Sequence, residues 1–226
     1  MTGASLGAAL ARIGQVQPRL PGTSVALLAV VAICAMLPGA WQVTRHLTVI
    51  AHEGAHATVG SALGRKVMGI SLRRNADGAT AVSGGGKPGT AAIAAVGYLG
   101  PSASGVGAAA LISTGHIVAV LWAGLVALLW VMFVLRRSFG VVTVMVAFVL
   151  LLLLASVATV SVQVDAAYAL TWFLLASGVR IVLTRGSAAV DAGILSHITR
   201  IPRGFWYAFW LLGTAAALVL GAGLLA

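Results

Sequence analysis

Residues 139–161 read FGVVTVMVAFVLLLLLASVATVS, without a single charged side chain. A run of this kind exceeds the roughly 20 residues that an α-helix needs to cross the ~30 Å hydrocarbon layer of a bilayer. Comparable runs lie on either side of it, at 23–41, 43–63, 89–113, 116–135, 164–184 and 204–225. Only 8% of the 226 residues are charged and 60% are hydrophobic, too little charge to cover a soluble domain of this length. The sequence therefore predicts an all-α polytopic membrane protein of about seven transmembrane helices. A tail at 1–22 precedes a single domain over 23–226. The first run reads as a retained signal-anchor rather than a cleaved signal peptide, because it continues through Pro38 and Trp41 into the next.

Residues 65–88 interrupt the hydropathy. Lys66 to Arg73 alternates in polarity, Asn75-Ala76-Asp77-Gly78 is a turn signal, and Ala79 to Ser83 returns as a second strand. This predicts a β-hairpin at the membrane surface, joined to the next helix by a flexible Gly84-Gly85-Gly86.

The net charge of +10 has the same explanation as the spans. With a cytoplasmic N-terminus and seven crossings, only Arg45 of the 14 basic residues falls outside, as the positive-inside rule requires. The C-terminus is then outside. No basic stripe interleaved with aromatics is present, so nucleic acid is not an expected partner. The lone Cys34 cannot form an internal disulfide and reads as a packing residue.

The second run contains His52-Glu53-Gly54-Ala55-His56. Histidines at i and i+4 share one helical face, where both imidazoles reach one Zn²⁺. Glu53, one residue on, is set to act as general base on a metal-activated water. The bland alternative has the histidines bonded to neighbouring helices and Glu53 paired with Arg45 or Arg180. It requires three ionisable side chains to sit in an apolar helix for packing alone, which is costly in a bilayer.

A catalytic zinc needs a third protein ligand. Besides Glu53 the acids are Asp77, Asp165 and Asp191. Asp77 is accounted for by the turn. If the second span runs inward, the motif lies in its cytoplasmic half. Asp191, in the segment 186–203 that returns on that side, can reach it; Asp165 opens a span on the opposite side. Asp191 is the predicted third ligand, against the alternative of a helix N-cap, and His197 is a further candidate.

These residues carry a resemblance. His-Glu-Gly-Ala-His, the hairpin entered at Gly64-Arg65-Lys66-Val67, Gly97-Tyr98-Leu99-Gly100-Pro101-Ser102-Ala103-Ser104, and Val190-Asp191-Ala192 resemble the site-2-protease family of intramembrane zinc metalloproteases. The closer likeness is to its compact actinobacterial M50B-like branch, over most of residues 45–225. The resemblance implies one Zn²⁺ held by His52, His56 and Asp191, with Glu53 catalytic. It also implies a bacterial cell-membrane location, and cleavage of a membrane-protein substrate held as an added strand. Gly100, Pro101 and Ser104 match the region implied to meet substrate, although Ser104 stands where the broader family has Asn. Val190-Asp191-Ala192-Gly193 departs from the family's Leu-Asp-Gly. The rival expectations are a non-catalytic scaffold or partner protein of the same fold, and a metal or proton transporter.

Overall fold

The computed structural model describes residues 3–136, 138–186 and 189–226. Arg137, one of the basic residues counted above, lies outside the described residues, as do residues 187 and 188 of the segment predicted to hold the third ligand. Ten α-helices and one two-stranded sheet are described. In chain order they are α1 (Gly3–Ala11), α2 (Gly22–Cys34), α3 (Pro38–Ala62), β1 (Val67–Leu72), β2 (Gly78–Val82), α4 (Lys87–Val96), α5 (Gly100–Ser113), α6 (Ala119–Val134), α7 (Ser138–Val157), α8 (Val160–Arg185), α9 (Val190–Thr199) and α10 (Arg203–Leu225). A single 3₁₀ turn, Gly97–Leu99, links α4 to α5.

Four stretches are long and apolar enough to cross a membrane: Lys87–Ser113, Phe139–Val157, α8 and α10. The first two predicted spans do not each qualify as a candidate crossing. Helices α2 and α3 meet at 98° and count at most as one broken span. The break has a local cause: Leu37 is extended (ψ 153°) and Pro38 opens α3, where its missing N–H costs nothing. With 13 residues, α2 is only about 20 Å long. Helix α6, with 16 residues, is apolar but also short, at about 24 Å.

Contacts between elements sort the helix ends into two groups. The tail ahead of α2 meets the α5–α6 turn, where the Gln17 N–H donates to the Gly115 carbonyl and the Val118 N–H donates to the Gln17 side chain. It also meets α8, where the Leu20 N–H donates to Tyr168, and the last turn of α10, where Arg19 donates to the Leu224 carbonyl. The hairpin lies at the other end. Arg136, just after α6, donates its backbone N–H to the Ile70 carbonyl, and Arg185, at the end of α8, bonds to Asp77.

The described residues near the two ends of the chain, Gln17 to Leu20 and Leu224, therefore lie at one end of the bundle. Four stretches qualify as crossings, or five with α2 and α3 taken as one broken span, so the expected count of seven is not confirmed. The N-terminal half of α3 is also at the hairpin end, where His46 packs on Phe139 and Arg180 stacks over Trp41. Arg45 thus sits at the same end as the other described basic residues that lie beyond the tail.

The hairpin is antiparallel, pairing Leu72 with Gly78, Ile70 with Thr80 and Gly69 with Ala81, with an irregularity between Val67 and Gly69. Ile70 and Leu72 are buried in one cluster with Ala57, Val131, Leu135 and Val144, so the inner face of β1 is part of the core. The glycine joint is fastened as well: Arg65 donates to the Gly86 carbonyl (2.7 Å) and to Thr90 (2.9 Å).

Candidate metal centre

Helix α3 is amphipathic in an unusual sense: its buried side carries His52, Glu53 and His56 as well as Val49, Ile50 and Ala57. The i, i+4 spacing brings the two imidazoles together, with Nε2 atoms 3.1 Å apart. Asp191, in the first turn of α9, completes the group. Its Oδ2 lies 3.3 Å from His52 Nε2 and 3.4 Å from His56 Nε2. Four tetrahedral ligands at roughly 2.0–2.1 Å from a zinc ion would be spaced about 3.3 Å apart, so these three atoms already form one face of such a site.

The donor chemistry fits a cation for a second reason. The Nδ1 of His56 lies 2.7 Å from the Ile93 carbonyl, which can only accept, so Nδ1 carries the proton. A neutral His56 therefore presents a lone pair at Nε2. That lone pair faces the Asp191 carboxylate, and two such acceptors repel unless a proton or a cation lies between them. The carbonyl contact also fixes the ring as a metal site requires. If protons supply the charge, burial alone raises the Asp191 carboxyl, but hydrogen bonds from His52 and His56 outweigh it and hold it well below the usual carboxylate range.

Space for the ligands comes from Gly97. A Cβ on Gly97 would lie 2.8 Å from His52 Cε1 and closer still to the His56 ring. Tyr98 then packs edge-on against His52, with centroids 4.6 Å apart, and is backed by Trp210. Trp210 is itself anchored to the Ala95 carbonyl. At the adjoining helix contact, Gly100 lies against Ala51, where a Cβ would come within 2.7 Å of the carbonyl.

Glu53 is 3% exposed and is covered by β2. Thr80 Oγ1 donates to Glu53 Oε2 across 2.6 Å. Gly78 lies so close that a Cβ there would be 2.6 Å from Glu53 Cγ. A cavity of about 780 Å³ opens beside the metal group. It is lined by His52, Glu53, His56 and Asp191, by β2, by Tyr98, and by Arg65, Arg73 and Arg185 at its margins.

The structure thus brings together His52, Glu53, His56 and Asp191. Asp191 opens α9, but its side chain makes no capping bond; the N-cap is Ala189. His197 is exposed in the last turn of α9 and is not in the cavity wall. Asp165 is near the tail end of α8, one turn from Tyr168. Gly100 and Pro101 are buried in the helix contact and Ser104 is exposed on α5; none of the three lines the cavity. The buried serine of that stretch is Ser102, which sits against Gly178. Three residues at the site, Gly78, Thr80 and Gly97, carry no distinguishing signal in the sequence beyond their positions in the hairpin and in the Gly-Tyr-Leu-Gly-Pro stretch.

A family model described as Peptidase M50B-like matches residues 24–221. No curated protein and no solved structure matches the chain.

Proposed function

Because the chain belongs to the Peptidase M50B-like family, we propose that this multi-pass membrane protein is a zinc-dependent intramembrane endopeptidase. In this reading His52, His56 and Asp191 hold one Zn²⁺. The observation that carries it is the convergence of three potential ligand atoms within 3.1–3.4 Å of one another in the wall of a cavity. When bound, zinc supplies a Lewis acid that makes water acidic enough to lose its proton near neutral pH.

The rest falls to side chains. Glu53 takes the proton from the attacking water and returns it to the leaving amide nitrogen. Its burial under β2 keeps the carboxylate out of bulk water. Asp191 keeps its negative charge across the neutral range and so offsets the charge of the ion. Ile93, through its carbonyl, holds His56 in the tautomer that leaves Nε2 free.

The substrate is a segment of another membrane protein, received as an added strand. The two edges of the sheet are not equivalent. The outer edge of β1 is occupied, since Arg136 donates its N–H to the Ile70 carbonyl and its Nε to the Met68 carbonyl. The free edge is that of β2, which lines the cavity. Strand addition there brings a substrate carbonyl next to the metal group.

The positive-inside rule supports a cytoplasmic site. Among the described residues every Lys and Arg except Arg12 and Arg19 lies towards the hairpin end. Residues 15–20 and the last turn of α10 are then on the outer side.

The deciding experiment is zinc analysis of the purified protein together with cleavage of a single-span reporter. Full activity in Glu53→Gln would end this mechanism, and absence of bound zinc after reconstitution would end the ligand assignment.

A further inference from the structure

Thr80 stands at the junction of the two functional parts, and its two ends face different partners. Its backbone belongs to the free edge. The Arg73 N–H donates to the Asp77 carbonyl, 2.9 Å away, and the register continues with Ser71 opposite Ala79 and Gly69 opposite Ala81. In an antiparallel pair, hydrogen-bonded and non-hydrogen-bonded positions alternate. Ile70–Thr80 and Leu72–Gly78 are therefore the non-bonded pairs, with N–H and C=O directed away from the partner strand. The Ile70 carbonyl confirms this on the β1 side, because it bonds outward to Arg136. On the β2 side the outward groups are those of Gly78 and Thr80.

The side chain of Thr80 belongs to the base. Its hydroxyl lies 2.6 Å from Glu53 Oε2 and 3.2 Å from the Glu53 backbone carbonyl. A hydroxyl has one proton to donate. The shorter, charge-assisted contact takes it, since the carboxylate is the stronger acceptor. Gly78, whose missing side chain lets β2 approach Glu53, lies beside the other flank of the carboxyl. Glu53 is thus oriented by the strand that offers the free edge, and not by its own helix.

We propose that Thr80 is a positioning residue that couples substrate docking on β2 to the orientation of Glu53. The inference rests on the peptidase reading above. A strand that adds to the outward N–H and C=O of Thr80 fixes the φ/ψ of this residue, and with it the direction of the hydroxyl that holds the base. Thr80 does not touch the reacting atoms; it acts through Glu53. The substrate class follows: an extended, unfolded segment with free backbone amides, because a helical one has none to offer β2.

The test uses the zinc-loaded, full-length protein in detergent micelles, with fluorescein-labelled casein as an unfolded probe. Glu53→Gln is the blank. Thr80→Val keeps the shape and removes the hydroxyl; Thr80→Ser keeps the hydroxyl and removes a methyl. The expected result is a loss of at least tenfold in kcat for Thr80→Val, with KM within twofold and zinc content unchanged, and recovery to within threefold of wild type in Thr80→Ser. Should the valine variant fail to fold, Thr80→Ala against Thr80→Ser reads the same contrast. Equal kcat in Thr80→Val and wild type would overturn the proposal. So would equal losses in the serine and valine variants, which would mean packing alone. A wild-type rate no higher than that of Glu53→Gln would instead remove the peptidase reading, and this proposal with it.

Discussion

The Arg19 guanidinium donates to the Leu224 carbonyl across 2.8 Å, so the segment ahead of α2 and the last turn of α10 share one end of the molecule. The His52, His56 and Asp191 group lies near the other end, beneath the hairpin. Two short relationships enforce this separation: Leu20 is tied to Tyr168 at one end of α8, and Arg185 to Asp77 at the other.

This arrangement predicts the outcome of cysteine labelling. In a Cys34→Ala background, single cysteines placed at Gln15 and at Ala226 should react with a membrane-impermeant maleimide from the same side of sealed vesicles. One placed at Asn75 should react only from the opposite side. Labelling of Gln15 and Ala226 from opposite sides would show that the two ends do not share a side of the membrane.

Gly97→Ala should weaken metal binding without unfolding the protein. The added methyl carbon enters the space of both imidazoles, while alanine is otherwise the better helix former, by about 1 kcal/mol. A fall of at least tenfold in zinc affinity is expected, read by competition with a chromophoric chelator. Unchanged affinity would show that the two rings can shift without loss of the site.

The ligand set makes a similar prediction. Asp191→Ala removes one corner of the triangle and leaves two imidazoles, so zinc should be lost on dialysis. His197→Ala should retain a full equivalent, because His197 is exposed and outside the cavity wall. Metal content by mass spectrometry decides between them.

Acid should affect the metal-free protein through Asp191. Its carboxyl is held below the usual carboxylate range by His52 and His56, against the effect of burial. A carboxyl depressed in the folded state adds stability above its unfolded value, near about 4, and that stability is lost as pH falls further. The melting temperature of the metal-free protein should therefore drop more steeply below about pH 4 than that of Asp191→Asn.

Loss of the Asp77–Arg185 pair should loosen the hairpin more than it lowers global stability. The pair is 2.9 Å long, with side chains 45% and 39% exposed, and such pairs contribute about 0–1 kcal/mol. Arg185 also bonds the carbonyls of Asn75 and Ala76, so it closes the turn. Arg185→Met should speed hydrogen exchange in 67–82 while the middle of α8 is unaffected.

The motif, the hairpin and the partner acid were all legible in the sequence, for different reasons. His52 and His56 are visible because helical periodicity alone puts them on one face. The hairpin is visible because Asn75-Ala76-Asp77-Gly78 breaks an alternating run. Asp191 is visible because it and the hairpin fall between spans on the same side. The bend before Pro38 was hidden because hydropathy measures composition and carries no direction; Leu37-Pro38 was the available signal. Thr80 was hidden for a deeper reason. Its bond to Glu53 joins a strand to a helix across 27 residues, and no periodicity reports such a contact.

The shortness of α2 and α6 has a consequence for the surrounding lipid. Both expose large apolar side chains, among them Leu27 and Ile33 on α2 and Val126 and Phe133 on α6. At about 20 and 24 Å they fall well below the ~30 Å of an ordinary hydrocarbon layer. Where so short a helix crosses a bilayer, the mismatch is met by local thinning, by snorkelling of flanking residues or by oligomerisation. Acyl chain length then becomes a variable of the protein's own environment, with short-chain lipids the better match to α2 and α6.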